Sequence, residues 1–221
     1  MKRMRLFLLA SGRGSHVVNL IGATRDGRIP GEVTRVAVDR PDAPVIEKAR
    51  ALGVPTTLLE PALAGARLSP GAEEQLLRAV LEDAPDLIAL CGFMRLLSGP
   101  LIERIGAPIL NVHPSLLPSF RGLHAQRQAL EVGARVTGAT IHFLDAGMDT
   151  GPILIQAALP ILPDDTEDSL SARLLPLEHR LYVDAIRLIS AGAVRREGRR
   201  VTVEPAAASH LGTLSAKRGV S

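Results

Sequence analysis

The sequence predicts an α/β fold: an open, mostly parallel sheet of about seven strands with helices on both faces. Early segments such as LFLLA and LIALC are apolar at every residue, which is typical of strands buried on both faces of a parallel sheet. These segments alternate with longer amphipathic stretches, as strands and helices do when right-handed crossovers connect them. A length of 221 residues is enough for one domain with a sizeable core.

The predicted elements follow from apolar runs bounded by Gly, Pro or Asp and from the amphipathic stretches between those runs. Strands are predicted at residues 5–10, 34–38, 55–59, 87–91, 109–112, 138–143 and 153–159. Helices are predicted at residues 16–24, 43–52, 71–83, 99–105, 122–132 and 167–191. The sequence contains no internal repeat or long linker, so we predict a single domain over residues 1–204 and a flexible tail at 205–221.

Composition excludes several classes of protein. Aromatic residues make up only 2% of the chain, which argues against a stacking platform for single-stranded nucleic acid. The single cysteine, Cys91, excludes an internal disulfide framework and fits a reducing compartment. A net charge of +3 tolerates a phosphate or carboxylate ligand. The apolar stretches are strand-sized and residues 1–10 lack a signal-peptide cleavage site, so we expect no membrane span and a cytoplasmic location.

The turn SGRGSH at residues 11–16 separates the first predicted strand from the first helix. Glycine lets the backbone approach a ligand closely, and a helix N-terminus offers unpaired N–H groups to an anion. Ser15 can cap the helix or donate its hydroxyl to a phosphate oxygen. A phosphate site is one interpretation, and a tight turn that binds nothing is an equally good one.

The same turn also allows a dinucleotide-binding interpretation. Gly12 and Gly14 match the first two glycines of that fingerprint, and Asp39 at the end of the second strand could bind a ribose. The third glycine position holds Val17, which would impair close packing of helix on strand. We therefore expect no nicotinamide cofactor, and an oxidoreductase is the weaker interpretation.

Polar residues follow the strand at 109–112. Asn111 and His113 are two residues apart and face the same side of an extended strand, at the sheet edge where α/β proteins bind ligands. The amide of Asn111 can donate to an oxyanion, His113 can exchange a proton, and Asp149 lies in a later glycine-rich loop. Each residue could equally serve an ordinary structural role in a turn or cap.

Two other kinds of site find little support in the sequence. No pair of histidines has metal-ligand spacing and only one thiol is present, so we expect no metal. No Gly-x-Ser-x-Gly elbow follows a strand, which argues against a covalent serine mechanism.

A series of motifs in order along the chain resembles the 10-formyltetrahydrofolate-dependent formyltransferases. The most specific is NVHPSLLP at residues 111–118, followed by Gly122. The others are SGRGS at 11–15, APD at 84–86, GFMRLL at 92–97, GLH at 122–124, GATIH at 138–142, DTGP at 149–152 and EH at 178–179. The resemblance thus extends from residue 11 to residue 179 and implies a Rossmann-like fold of the formyltransferase type.

The resemblance implies a formyl transfer in purine biosynthesis, from the co-substrate 10-formyltetrahydrofolate to the amine of glycinamide ribonucleotide. It implies that Asn111 and His113 stabilise the oxyanion of a tetrahedral intermediate, and that His113 passes a proton to the departing folate nitrogen. Asp149 is expected to favour the protonated histidine and to order a water molecule. The bond between Leu117 and Pro118 is expected to be a cis peptide.

The resemblance also implies two binding regions. Residues 1–100 form the half that binds the ribonucleotide phosphate, and residues 101–204 form the catalytic and folate-binding half. The ribonucleotide is expected at Gly14, Ser15, His16 and Glu178. The folate is expected at Met94, Arg95, Leu96, Leu97, Asn111 and His142.

Some positions depart from the family pattern. His16 stands where asparagine is usual, and Arg67 lies near the expected position of an arginine that contacts the folate tail. Phe120-Arg121-Gly122 is more similar to the methionyl-tRNA branch, but that branch carries a further carboxy-terminal RNA-binding domain. A formyltetrahydrofolate hydrolase would carry a further amino-terminal domain. We expect neither domain here, no nucleic acid or membrane partner, and a monomer or homodimer.

Overall fold

A computed structural model describes residues 3–60 and 67–205. The helices are α1 (Ser15–Arg25), α2 (Val45–Ala51), α3 (Pro70–Asp83), α4 (Gly99–Ile105), α5 (Ala125–Glu131) and α6 (Glu167–Ser190). The strands are β1 (Met4–Ala10), β2 (Gly31–Val38), β3 (Thr56–Leu58), β4 (Leu87–Leu90), β5 (Ile109–His113), β6 (Val136–Phe143), β7 (Ile153–Pro160), β8 (Val194–Glu197) and β9 (Arg200–Val203).

Seven strands form one sheet in the order β3-β2-β1-β4-β5-β6-β7. Strands β1 to β5 run parallel, and β6 and β7 pair antiparallel to their neighbours. The predicted open, mostly parallel sheet is therefore confirmed. The strand order reverses between β1 and β4, and ligands of α/β proteins bind beyond the carboxyl ends of the strands at such a point.

The alternating side chains of β1 divide the hydrophobic core into two parts. Leu6 and Leu8 pack in a cluster to which α1, α2 and α6 contribute, whereas Phe7 and Leu9 pack in a cluster with α3 and α4. All four side chains are fully buried. A strand needs apolar residues at every position when helices cover both faces of its sheet, so the predicted arrangement of helices is also confirmed.

The structure differs from the predicted elements at two places. Helix α5 begins at Ala125 and not at residue 122, because Gly122 (φ 76°) and His124 (φ 58°) adopt left-handed conformations that no α-helix accepts. Strands β8 and β9 form a hairpin that the hydrophobic pattern did not predict. The predicted tail lies outside the described residues, except for Pro205.

Two further findings concern residues 3–60 and 67–205. None of their helices combines the length and apolar character that crossing a membrane would require. No three of their His, Cys, Asp and Glu side chains are grouped in a way that could hold a metal ion.

Candidate active site

Four polar side chains meet where β5 and β6 face the crevice. Asn111 and His113 lie on β5, and His142 lies directly opposite Asn111 on β6. Asp149 comes from the loop between β6 and β7 and adopts a left-handed conformation, with φ of 51°. The structure therefore brings together residues that are separated by up to 38 positions in the chain.

The carboxylate of Asp149 is the centre of this cluster. Its Oδ2 atom lies 3.3 Å from Nδ1 of His113 and accepts a 2.8 Å hydrogen bond from the backbone N–H of Gly122. Its Oδ1 atom accepts a long 3.4 Å bond from the amide of Asn111 and lies 3.6 Å from Nε2 of His142. Burial opposes ionisation, but the nearby imidazole of His142, the hydrogen bond from the Gly122 N–H and the charge of His113 outweigh it and lower the pKa of Asp149. The group is thus held as a carboxylate.

Both ring nitrogens of His113 face oxygen atoms. Nδ1 faces Asp149, and Nε2 lies 2.7 Å from the carbonyl oxygen of Phe120. A carbonyl and a carboxylate can only accept, so both contacts are hydrogen bonds when the imidazole carries a proton on each nitrogen. Both ring nitrogens of this almost fully buried imidazole are therefore close to acceptor oxygens of the protein.

His142 has the opposite arrangement of donors and acceptors. Its Nδ1 atom lies 3.0 Å from the carbonyl oxygen of Phe143, to which it can only donate. In the neutral ring Nε2 is then an acceptor, and it receives the 3.2 Å hydrogen bond from the amide of Asn111. This pair orients the Asn111 amide so that its second N–H has only the long contact with Asp149. That N–H is the one most readily given to a ligand oxygen.

The loop after β5 is fixed by hydrogen bonds to the neighbouring strands. The hydroxyl of Thr140 donates to the carbonyl of Ser115 at 2.6 Å and accepts from the N–H of Leu117 at 3.1 Å. The Gln156 amide donates to the carbonyl of Leu117 at 2.9 Å. The peptide bond between Leu117 and Pro118 is cis, as predicted. These contacts hold the loop that supplies the Phe120 carbonyl to His113.

The turn after β1 leads into the N-terminus of α1, where the ribonucleotide phosphate was expected. Gly14 precedes α1 with φ of 76°, and a Cβ atom there would lie 2.4 Å from Cγ2 of Val45, so the position requires glycine. Ser15 is the first residue of α1, and no side chain of the described residues caps this N-terminus. Lys48 donates to the carbonyl of Arg13 at 2.7 Å and adds a positive charge beside the turn. A helix N-terminus with these surroundings attracts an anion.

His16 and Glu178 form a buried pair beside this turn. Nε2 of His16 lies 3.0 Å from a carboxylate oxygen of Glu178, and Nδ1 has no hydrogen-bond partner among the described residues. The ring of His179 packs edge-on against that of His16, with centroids 4.9 Å apart. Burial, and then the nearby charge of His16, lower the pKa of His179. His16 and Glu178, both predicted to bind the ribonucleotide, are thus in direct contact with each other.

The strip at residues 94–97 is fastened to the ends of β1 and β2. The N–H of Met94 donates to the hydroxyl of Ser11 at 2.8 Å, and Nε of Arg95 donates to buried Asp39 at 2.7 Å. The Met94 side chain is 62% exposed, whereas Leu97 is buried in the core. The carboxylate considered as a ribose ligand is therefore engaged by Arg95.

Leu96 makes an isolated parallel bridge with Arg67, at the edge of the described residues. This bridge places Arg67 next to the strip that was predicted to contact folate.

Several groups that complete the site had no signal in the sequence. The carbonyl of Phe120 and the N–H of Gly122 are backbone groups, so the residue type at these positions does not reveal their role. Ser11 belongs to a recognised motif, but its bond to Met94 depends on the adjacency of β1 and β4. Contacts of this kind follow from the sheet order and not from local spacing.

Comparisons with known proteins show the family of this chain. The family model described as formyl transferase matches residues 4–186. Phosphoribosylglycinamide formyltransferase of Escherichia coli is 37% identical over 193 residues, which are 87% of this chain and 90% of that protein. The crystal structure of glycinamide ribonucleotide transformylase 1 from Symbiobacterium toebii matches with a TM-score of 0.85 and 44% identity, covering 91% of this chain and 94% of that one.

A longer relative matches over the same region. The trifunctional purine biosynthetic protein adenosine-3 of Drosophila melanogaster is 42% identical over 193 residues, which are 86% of this chain. The chain spans only 14% of the length of that protein. With the family model covering most of its length and full-length bacterial relatives above 30% identity, the chain belongs to the formyl transferase family.

Proposed function

We propose that this protein transfers the formyl group of 10-formyltetrahydrofolate to the amine of glycinamide ribonucleotide, a step of purine biosynthesis. The observation that carries the proposal is the cluster of Asn111, His113 and Asp149, in which an amide donor and an imidazole are held around one carboxylate. The similarity to bacterial phosphoribosylglycinamide formyltransferases over nearly their whole length supports the choice of substrates.

In the proposed reaction the amine nitrogen of the ribonucleotide attacks the formyl carbon, and the former carbonyl oxygen becomes negative. The bond from that carbon to N10 of the folate then breaks. The attacking nitrogen loses one proton and N10 gains one, so the products are a formamide and tetrahydrofolate. The enzyme must therefore stabilise an oxyanion and supply a proton to the departing nitrogen.

Asn111 and His113 suit these two tasks. The N–H of Asn111 that makes only a 3.4 Å contact with Asp149 is available to the oxyanion. The imidazole of His113 lies two residues further along the same strand, and its cationic form adds positive charge where the negative charge develops. One oxyanion donor typically contributes about a hundred- to a thousandfold in rate.

Asp149 supports both residues. Its carboxylate lies 3.3 Å from Nδ1 of His113 and orients the imidazole, and the Gly122 N–H keeps the carboxylate in place. A carboxylate in this position can also order a water molecule that relays the proton from the attacking amine. Its lowered pKa means that it serves as an acceptor and an electrostatic partner over the whole physiological range.

The substrates would lie on either side of this cluster. The phosphate of the ribonucleotide would bind at the N-terminus of α1, on Gly14, Ser15 and His16, with Glu178 contacting the same substrate. The folate would lie against the strip at residues 94–97, close to the cross-strand pair of Asn111 and His142. In this arrangement Arg95 fixes the strip through its hydrogen bond to Asp39.

The proposed formyl transfer can be assayed directly. The purified protein is mixed with 10-formyltetrahydrofolate and glycinamide ribonucleotide, and loss of the folate formyl group and formation of the formylated ribonucleotide are followed together. We expect one formylated product for each folate consumed and no consumption without the ribonucleotide. Formate release without the ribonucleotide would instead indicate a hydrolase, and absence of turnover with both substrates would refute the proposal.

The organisation of the chain into a ribonucleotide-binding half at 1–100 and a folate-binding half at 101–204 remains part of this proposal. A cytoplasmic location and a monomeric or homodimeric state accompany it. Gel filtration with light scattering, with and without both substrates, measures the oligomeric state.

A further inference from the structure

The hairpin of β8 and β9 reaches from the core to the loop that carries Asp149. Three partly buried valines anchor it to the core cluster beneath, and β9 packs against β7; the valines are Val194, Val201 and Val203. Residues 198 and 199 form its turn, with Gly198 at φ of 59°. The guanidinium of Arg196 stacks over the ring of Phe143, 5.2 Å from its centroid, where the loop begins. The tip of the hairpin is thus anchored close to the loop.

Arg199, in the hairpin turn, contacts the loop directly. Its Nη2 atom donates a 2.7 Å hydrogen bond to the carbonyl oxygen of Thr150, the residue that follows Asp149. Its Nη1 atom lies 3.9 Å from Oδ2 of Asp145, at the other end of the loop. One side chain therefore contacts both ends of the segment that carries Asp149.

The loop is closed internally by Asp145. Its Oδ1 atom accepts hydrogen bonds from the hydroxyl of Thr150 at 2.6 Å and from the N–H of Gly147 at 3.1 Å. The two carboxylate oxygens of Asp145 thus face Thr150 inside the loop and Arg199 outside it. These contacts join the two ends of the loop to each other and to the hairpin.

We propose that Arg199 is a positioning residue for the loop between β6 and β7. By holding the Thr150 carbonyl it keeps Asp149 in the left-handed conformation from which the carboxylate reaches His113. A left-handed conformation is costly for a residue other than glycine and persists only where surrounding contacts enforce it. Arg199 supplies such a contact from a separate, core-anchored element.

The effect of Arg199 on activity rests on the proposed formyl transfer. The charges around Asp149 determine the direction in which the pH profile should shift. Without Arg199 the loop samples conformations in which Asp149 has left His113, His142 and the Gly122 N–H. Those contacts lower the pKa of Asp149, so their loss raises that pKa toward the ordinary value. The acid limb of the activity profile therefore moves to higher pH, because the carboxylate is protonated sooner on acidification.

The test compares three variants with the wild-type enzyme: Arg199→Ala, Arg199→Lys and Arg195→Ala. Arg195 is exposed on the same hairpin and matches Arg199 in charge, without a contact to the loop among the described residues. We expect Arg199→Ala to lower kcat about three- to tenfold, as for one exposed hydrogen bond, and to shift the acid limb to higher pH. Lysine should restore part of the rate, because it keeps one donor and the charge.

Hydrogen exchange of the ligand-free protein supplies a readout that needs no activity. Amides of residues 144–151 should exchange faster in Arg199→Ala, while those of β5 and β6 stay as in the wild type. If Arg199→Ala matches Arg195→Ala in kcat, pH profile and exchange, the positioning role is wrong. If the wild-type protein shows no formyl transfer but exchange changes as expected, the proposed function fails and the loop contact stands.

Discussion

Nε2 of His16 lies 3.0 Å from the carboxylate of Glu178, and the two side chains are only 10% and 11% exposed. The pair joins the first turn of α1 to α6 across the edge of the proposed ribonucleotide site. A buried charge that loses its partner is costly, whereas the intact pair is close to neutral in its net effect on stability. Replacing one member of the pair should therefore change the free energy of unfolding by a measurable amount.

We predict that His16→Ala lowers the free energy of unfolding by about 2–4 kcal/mol, because it leaves the Glu178 carboxylate buried without a partner. Urea denaturation at pH 7 measures the change. The double variant His16→Ala/Glu178→Gln should recover part of the loss, since the neutral amide is cheaper to bury. A single variant as stable as the wild type would show that the pair contributes nothing.

We predict that Asn111→Ala and His113→Ala each reduce kcat by about a hundred- to a thousandfold, since the first removes a donor to the developing oxyanion and the second removes the imidazole proposed to take part in proton transfer. Circular dichroism and thermal unfolding are the controls for an intact fold. The exposed residue Arg195 provides a matched alanine substitution away from the site. Near-normal turnover in either site variant would contradict the proposed roles.

We predict that the stability difference between the wild type and Asp149→Asn depends on pH. The pKa of Asp149 is lowered in the folded protein, so the ionised carboxylate stabilises the fold above the unfolded pKa, near 3.8. That contribution is fully present above about pH 5 and is lost as the pH falls through the folded pKa. Urea unfolding of both proteins between pH 3 and 7 measures it. A difference that stays constant down to pH 3 would contradict the lowered pKa.

We predict that Gly14→Ala destabilises the protein by about 1–3 kcal/mol and raises KM for glycinamide ribonucleotide. The added Cβ would overlap Val45, and the backbone has φ of 76°. Gly12→Ala is the matched control in the same turn, because no atom lies within 4 Å of its Cβ position. Equal stability and KM in the two variants would contradict the requirement for glycine at position 14.

Most of the fold could be predicted because burial in the core determines where apolar residues occur along the chain. Segments such as LFLLA can only be buried on both faces, and all seven strands of the main sheet were predicted within a few residues. The hairpin of β8 and β9 was not predicted, because its strands, VRRE and RVTV, are charged and largely exposed. Its valines pack against a core surface that exists only after the chain has folded.

Only the part of the candidate site that depends on local spacing could be predicted from the sequence. Because Asn111 and His113 are two residues apart on one strand, their side chains lie on the same face of the sheet, and the local sequence is enough to predict this. The ion pair of Arg95 with Asp39 depends on the adjacency of loops that follow β4 and β2, and no local pattern contains it. Residue types indicated the chemistry, whereas the sheet order determined which partners each group meets.

The cross-strand pairing of Asn111 with His142 determines where inserted residues would disturb the candidate site. Extra residues in the connection between β5 and β6 leave the pairing unchanged, because the ladder from Leu110–Phe143 to His113–Thr140 sets the register. One extra residue within β6, between Thr140 and His142, would turn the imidazole to the opposite face of the sheet. Libraries that vary loop length in this protein should therefore accept insertions at residues 132–135 and reject them at 140–142.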